Sequence, residues 1–132
     1  MSVENGLKKC ERITSQITLE HLFNKGKKIF EYPYKVFYDF NLGTPLDCEL
    51  EMAISVPKKR IRKAHNRNRI KRLTREGYRT NKLKLIKELA QNKQRLSVFL
   101  IFVGTADVNL AQVEEKIIVI LNRLQEELRN LS

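Results

Sequence analysis

The side chains able to act as acids, bases, nucleophiles or metal ligands are few in this chain and poorly spaced for catalysis. His21 and His65 have no partner at metal-ligand spacing, and Cys10 and Cys48 belong to no C-x-x-C pattern. The two cysteines therefore read as free thiols suited to a reducing compartment. Glu49 and Glu51 fall two residues apart on one strand face, where a carboxylate pair can do acid–base work or hold magnesium beside a nucleic acid. A solvated strand face accounts for them more simply. There is no phosphate-cradling Gly-rich loop and no nucleophile elbow. The chemistry that is concentrated is cationic. Residues 55 to 79, SVPKKRIRKAHNRNRIKRLTREGYR, hold eleven Lys or Arg against one acid, Glu76, a local +10 in a chain of net charge +11.

A helix from Arg67 onward would position these charges. At about 100° per residue, Arg67, Asn68, Lys71, Arg72, Arg75 and Arg79 share an arc of about 140°, while Ile70, Leu73 and Gly77 gather opposite. Five cations on that face outnumber the single Glu, which makes a self-neutralised solvated face the weaker reading. The pattern is that of a helix docked on a domain and aimed at an anion. Residues 58 to 95 carry sixteen Lys or Arg and two Glu, net +14, which leaves 11 − 14 = −3 for the remainder. Such segregation points to a nucleic-acid or polyphosphate partner. A membrane surface fits poorly, because the apolar stripe is narrow and lacks bulky insertion residues. A DNA reader fits poorly too: it needs a second short helix just before this one, where a strand and Pro57 stand instead.

The remaining segments supply the scaffold. A length of 132 residues at 42% hydrophobic content suits one domain, spanning 1–132, with residues 1–14 loosely held. No apolar run approaches the ~20 residues of a membrane span and no signal-peptide core opens the chain, so a cytoplasmic location is expected. Thr18 is placed to cap a short helix, Leu19 to Lys25, that stops at Gly26 and carries Leu22 and Phe23 inward. Tyr32 to Leu42 reads as a strand with Tyr34, Val36, Tyr38 and Phe40 on one face and Lys35, Phe37 and Asp39 on the other. Residues 28 to 31 admit a further strand. Cys48 to Val56 alternates like the second arm of an antiparallel hairpin and is ended by Pro57. The basic helix ends near Thr80-Asn81, and residues 82 to 92 either continue it or form a second short helix. Leu96 to Val103, nearly all apolar, suits a central strand covered on both faces. Asn109 and Gln112 open a long C-terminal helix with a core stripe of Val113, Ile117, Ile120, Leu121, Leu124 and Leu128. The expected class is α+β, a small mixed sheet packed with helices.

The order of the basic residues is more specific than their charge. Ser55-Val56-Pro57-Lys58-Lys59, followed by Arg67-Asn68-Arg69-Ile70-Lys71-Arg72-Leu73-Thr74-Arg75-Glu76, resembles the signature of the protein subunit of bacterial ribonuclease P. In that family an S-V-x-K-K strand end precedes an R-N-R-x-K-R-x-x-R-E helix. Phe23-Asn24-Lys25-Gly26 is similar to the F-x-x-G that closes the family's first helix. The resemblance extends over about residues 15 to 128. One departure is local: the segment after Lys58-Lys59 is one residue longer and lacks the family's Gly, so no family contacts are carried over to residues 60–66.

The resemblance implies an α-β-β-β-α-β-α order and a ribosomal-protein-S5-domain-2-like sandwich. It also implies a role in an endoribonuclease whose catalytic RNA subunit holds the magnesium ions (Mg2+) and removes the 5′ leader of precursor tRNA. The protein alone is then no nuclease. By resemblance, Lys58, Lys59, Arg67, Asn68, Arg69, Lys71, Arg72 and Arg75 bind RNA. Leu19, Phe23, Val36, Tyr38 and Ser55 line a cleft for the single-stranded leader, although Leu19 replaces a common aromatic and can pack against a base but not stack. The implied partners are ribonuclease P RNA and precursor tRNA, with neither membrane nor DNA. Two rivals remain. A general or ribosomal RNA-binding protein shares the charge without needing the cleft; a protein-only nuclease is opposed by the missing metal or acid–base cluster.

Overall fold

The computed structural model describes residues 12–13, 15–42 and 48–131. Its elements run α1 (Gln16–Lys25), β1 (Lys27–Glu31), β2 (Tyr34–Phe40), β3 (Leu50–Ser55), α2 (Ala64–Asn81), α3 (Leu83–Gln91), β4 (Leu96–Phe102) and α4 (Leu110–Arg129). The expected order holds, with the stretch after the basic helix forming its own helix. At the end of α2 the Thr80 hydroxyl and the Asn81 side-chain amide donate to the carbonyls of Glu76 and Gly77, and both also reach the Glu114 carboxylate on α4.

The sheet is organised by β4. Apolar on both faces, it takes the position that both layers of helices cover, between antiparallel β2 and parallel β3 in the order β1-β2-β4-β3. The hairpin expected between the second and third strands therefore does not form. Alternation records which side chains share a face and says nothing about which strand lies alongside. Residues 43–47, between the two strands, lie outside the described residues. Cys48, expected as a free thiol, is disulfide-bonded; Cys10, the other of the chain's two cysteines, lies outside the described residues.

One face of the sheet carries Ile29, Tyr34, Val36, Tyr38, Met52 and Leu100 against α2, α3 and α4. All six residues of the expected α4 stripe are buried there, and Asn109 and Gln112 form a reciprocal capping box. Gly77 lets α2 approach α4 closely: a Cβ at this position would sit 3.4 Å from Glu114 Cα. The Tyr34 hydroxyl lies 2.6 Å from that of Thr74, which donates on to Ile70 O at 2.9 Å, so the start of β2 is tied to the middle of α2.

Among the described residues the opposite face is covered by α1, with Ile13 packed beside it. Ser15, not Thr18, is its N-cap, accepting from the Thr18 amide at 3.3 Å, so the helix starts at Gln16 rather than Leu19. Leu22 is fully buried against this face, whereas Phe23, expected inward, is 54% exposed. Arg12 and Ile13, expected in a loose segment, instead bridge the outer edge of β3, with Ile13 N–H donating to Met52 O at 3.0 Å.

Candidate nucleic-acid interface

The chain leaves β3 through Pro57, whose carbonyl accepts the amides of Arg60 and Ile61, each at 3.1 Å. This turn leaves Lys58 and Lys59 exposed and drops Ile61 into the core, which is how the lengthened 60–66 segment is accommodated. From Ala64 the helix buries Ile70, Thr74, Gly77 and Tyr78, a single stripe at helical spacing, and so turns its cations outward. Arg79 at its end is engaged by the lone acid, Glu76, at 2.5 Å, and the hydrogen bond from Arg79 holds that carboxyl below the usual carboxylate range.

The basic residues marked in the sequence divide into two groups. Arg67 donates to the carbonyls of Ile61 and Arg62 at 3.0 and 2.7 Å, fixing the turn before the helix. Arg69 points away from the outward face and forks onto Ala106 O and Val108 O at 3.2 and 2.7 Å, pinning the loop between β4 and α4. Both are half-buried. By contrast, among the described residues no hydrogen bond or ion pair engages the side chains of Lys58, Lys59, Asn68, Lys71, Arg72 or Arg75. Charge held on a rigid helix with no internal partner is available to an external anion.

A groove lies between α1 and the uncovered end of the sheet. Its cavity of about 380 Å³ is lined by Leu19, Ala53, Ser55 and Phe99, with Arg12 and Arg75 at its sides. Phe23 packs its ring on Phe37 at 5.3 Å between centroids, Phe37 stands 6.4 Å from Phe99, and Lys28 Nζ lies 5.8 Å from the Phe37 ring. Leu19 and Ser55 thus line one groove, while Phe23 stands on Phe37 and does not line it.

Val36 and Tyr38 do not join them. They are 0% and 4% exposed on the other face of the sheet, in the core beneath α2 and α4. Burial, with Glu127 alongside, pushes the Tyr38 phenol up to about 12. The reason is parity. Tyr34, Val36 and Tyr38 share one face, and it is Phe37, of opposite parity, that faces α1. Sequence reasoning did not single out Phe99 in the groove or Phe37 behind it. The alternation in YKVFYDF already set Phe37 apart, but LSVFLIF, nearly all apolar, gives no such signal for Phe99.

A sequence profile described as Ribonuclease P matches residues 7–125. The chain belongs to the ribonuclease P family. The ribonuclease P protein component of Porphyromonas gingivalis (strain ATCC 33277) is 41% identical over 90 residues, 67% of this chain and 64% of that protein. That of Buchnera aphidicola is 37% identical over 81 residues, 60% of this chain and 66% of that protein. The chain therefore aligns with less than two-thirds of the Porphyromonas protein's length. Among solved structures, the RNase P protein of Staphylococcus aureus shares the fold with a TM-score of 0.69 at 21% identity, covering 86% of this chain and 94% of that one. The Thermotoga maritima protein does so with a TM-score of 0.65 at 24% identity, covering 86% and 96%.

Magnesium, expected from the resemblance, is an ion that prefers oxygen ligands and above all carboxylates. Among the described residues no group of three or more His, Cys, Asp or Glu is placed to hold a metal. Glu51 accepts the Ser97 hydroxyl at 2.5 Å across the sheet, and His21 meets Asp39 at 3.2 Å. The Glu49 and Glu51 pair is thus no preformed cage. Among the described residues, no helix is long and apolar enough to cross a membrane.

Proposed function

We propose that this chain is the protein subunit of a ribonucleoprotein endoribonuclease that matures the 5′ end of tRNA. The observation that carries the reading is Arg75. Among the described residues it stands on the unpartnered cationic face of α2 and also lines the groove beside α1, so one side chain joins the cationic helix to a cleft that presents the Phe99 ring. Single strands bind where a cationic track runs beside exposed rings on which bases stack. Lys58, Lys59, Lys71 and Arg72 neutralise phosphates of the RNA subunit and release counterions. Phe23 and Phe99 take unpaired leader bases, with Phe37 behind them and Leu19, Ala53 and Ser55 as the floor. Magnesium held by the RNA would activate the attacking water and stabilise the leaving oxygen during strand cleavage. The protein's own part is to lower phosphate repulsion and hold the leader in one place.

Reconstitution tests this. Purified protein, a bacterial ribonuclease P RNA and precursor tRNA are mixed at low magnesium, and release of the leader is followed. Cleavage that requires both protein and RNA is expected. Tight RNA binding without stimulated cleavage points to a general RNA-binding protein, and cleavage by the protein alone overturns the assignment of chemistry to RNA.

A further inference from the structure

The sheet face that α1 covers is only half covered. Reading across the four strands by register, one row is Lys28, Phe37, Phe99 and Ala53, and it lies beneath α1 with Phe23 packed on Phe37. The next row is Phe30, Lys35, Ile101 and Ser55, spanning about 14 Å at the usual strand spacing. Among the described residues no element lies over its outer end: Phe30 is 58% exposed and Lys35 is exposed. Ser55 at the inner end lines the groove, so this row leads out of the groove across to the edge strand β1.

We propose that Phe30, flanked by Lys28 and Lys35, is a further base-stacking position that receives a leader nucleotide beyond those held beside α1. This rests on the reading of the groove as a leader site. Continuity is one argument, since Phe30 and Ser55 stand at opposite ends of the same row. Charge is another. Lys35 is directly opposite Phe30 and Lys28 precedes it by one step on the same face, while the neighbouring acid, Glu31, points to the other face and is held by Lys116 and Arg123 at 3.6 and 3.7 Å. A lone exposed aromatic is common on protein surfaces; one that extends a cationic groove is placed for a single strand. Strand-to-strand addition of another copy at β1 is disfavoured, because Lys27 and Lys28 charge that edge.

The test is a series of precursor tRNAs whose leaders lengthen one nucleotide at a time, bound to the reconstituted holoenzyme. Wild type, Phe30→Ala, Phe30→Tyr and Phe23→Ala are compared. Affinity of the wild type should rise with leader length and then level off. Phe30→Ala should lose only the last gain, about 5- to 150-fold, and Phe30→Tyr should restore it. Phe23→Ala should lose affinity at shorter leaders. If Phe30→Ala matches wild type at every length while Phe23→Ala is impaired, the Phe30 position alone is overturned. If Phe30→Ala weakens binding equally at all lengths, Phe30 touches something other than the leader, and the proposal is again wrong. Wild-type affinity indifferent to leader length overturns the groove reading and this one together. A doubled solution mass without RNA that Phe30→Ala abolishes assigns the ring to self-association instead.

Discussion

The division of the arginines on α2 makes a quantitative prediction. Replacing Lys71, Arg72 and Arg75 together with Ala removes three cations that no protein group engages among the described residues. For each phosphate that no longer meets a cation, the slope of log K against log salt should shallow by roughly 0.9 on a duplex or 0.7 on a single strand, so by about 2–3 in all. Carried from 1 M down to about 0.15 M salt, that is about two decades of affinity, or ~3 kcal/mol. Stability should hardly change, since these side chains leave no partner behind. Arg69→Ala should behave oppositely. Its guanidinium holds Ala106 O and Val108 O, and losing these charge-assisted bonds should cost about 1–3 kcal/mol of stability while the salt slope stays at the wild-type value. The assay is a titration of labelled RNA subunit over a salt series, with a thermal melt of each variant. An Arg69→Ala slope as shallow as that of Arg72→Ala, or an unchanged slope in the triple variant, would refute the division.

Three further outcomes are expected. Phe23→Ala, at an exposed ring, should change stability by under about 1 kcal/mol yet weaken precursor tRNA relative to mature tRNA by ~1–3 kcal/mol; equal losses on both RNAs would remove it from the groove. Tyr38→Ala should lose about 3 kcal/mol of stability as a core cavity, measured by denaturant melt, whereas Tyr38→Phe should leave leader discrimination unaltered; a selective loss of leader binding in Tyr38→Phe would return Tyr38 to the groove. Tyr34 and Tyr38 are both pushed from 10.0 up to about 12, chiefly by burial. Above pH 10 the unfolded chain then gives up protons that the folded one keeps, so stability is full below pH 10 and falls toward 12, by up to ~1.4 kcal/mol per pH unit for each group. Tyr34→Phe should flatten its share of that slope; a profile of unchanged steepness would mean the buried phenol does not govern it.

The periodic parts of the fold were legible because one physical constraint decided each. The α4 stripe and its capping box, the central place of β4 and the cationic face of α2 follow from helical or strand spacing alone. What failed were matters of partnership. LEMAIS alternates equally well beside β2 or β4, and only the burial demanded by LSVFLIF on both faces decides between them. Tyr38 and Phe37 are adjacent, both aromatic, and differ only in which layer of helices they meet. Arg69 and Arg72 are indistinguishable as charges. What separates them is a loop 37 to 39 residues further along the chain that supplies carbonyls to one and not to the other.

That separation also bears on why so basic a chain needs a fold at all. A disordered basic segment attracts RNA equally well over distance, but it must be ordered on binding, and the ordering reduces affinity and blurs geometry. Here the ordering is done in advance. Gly77 seats α2 against α4, Thr74 ties it to Tyr34, and Arg67 and Arg69 brace its entry and its neighbouring loop. The cations left over are therefore fixed relative to the sheet, and Arg75 is fixed relative to the groove. Two binding surfaces carried on one rigid body act at high effective concentration towards a ligand that reaches both. Under the proposed function a tRNA with a leader reaches both and a tRNA without one does not, so rigidity between α2 and the sheet would convert general attraction for RNA into preference for the precursor.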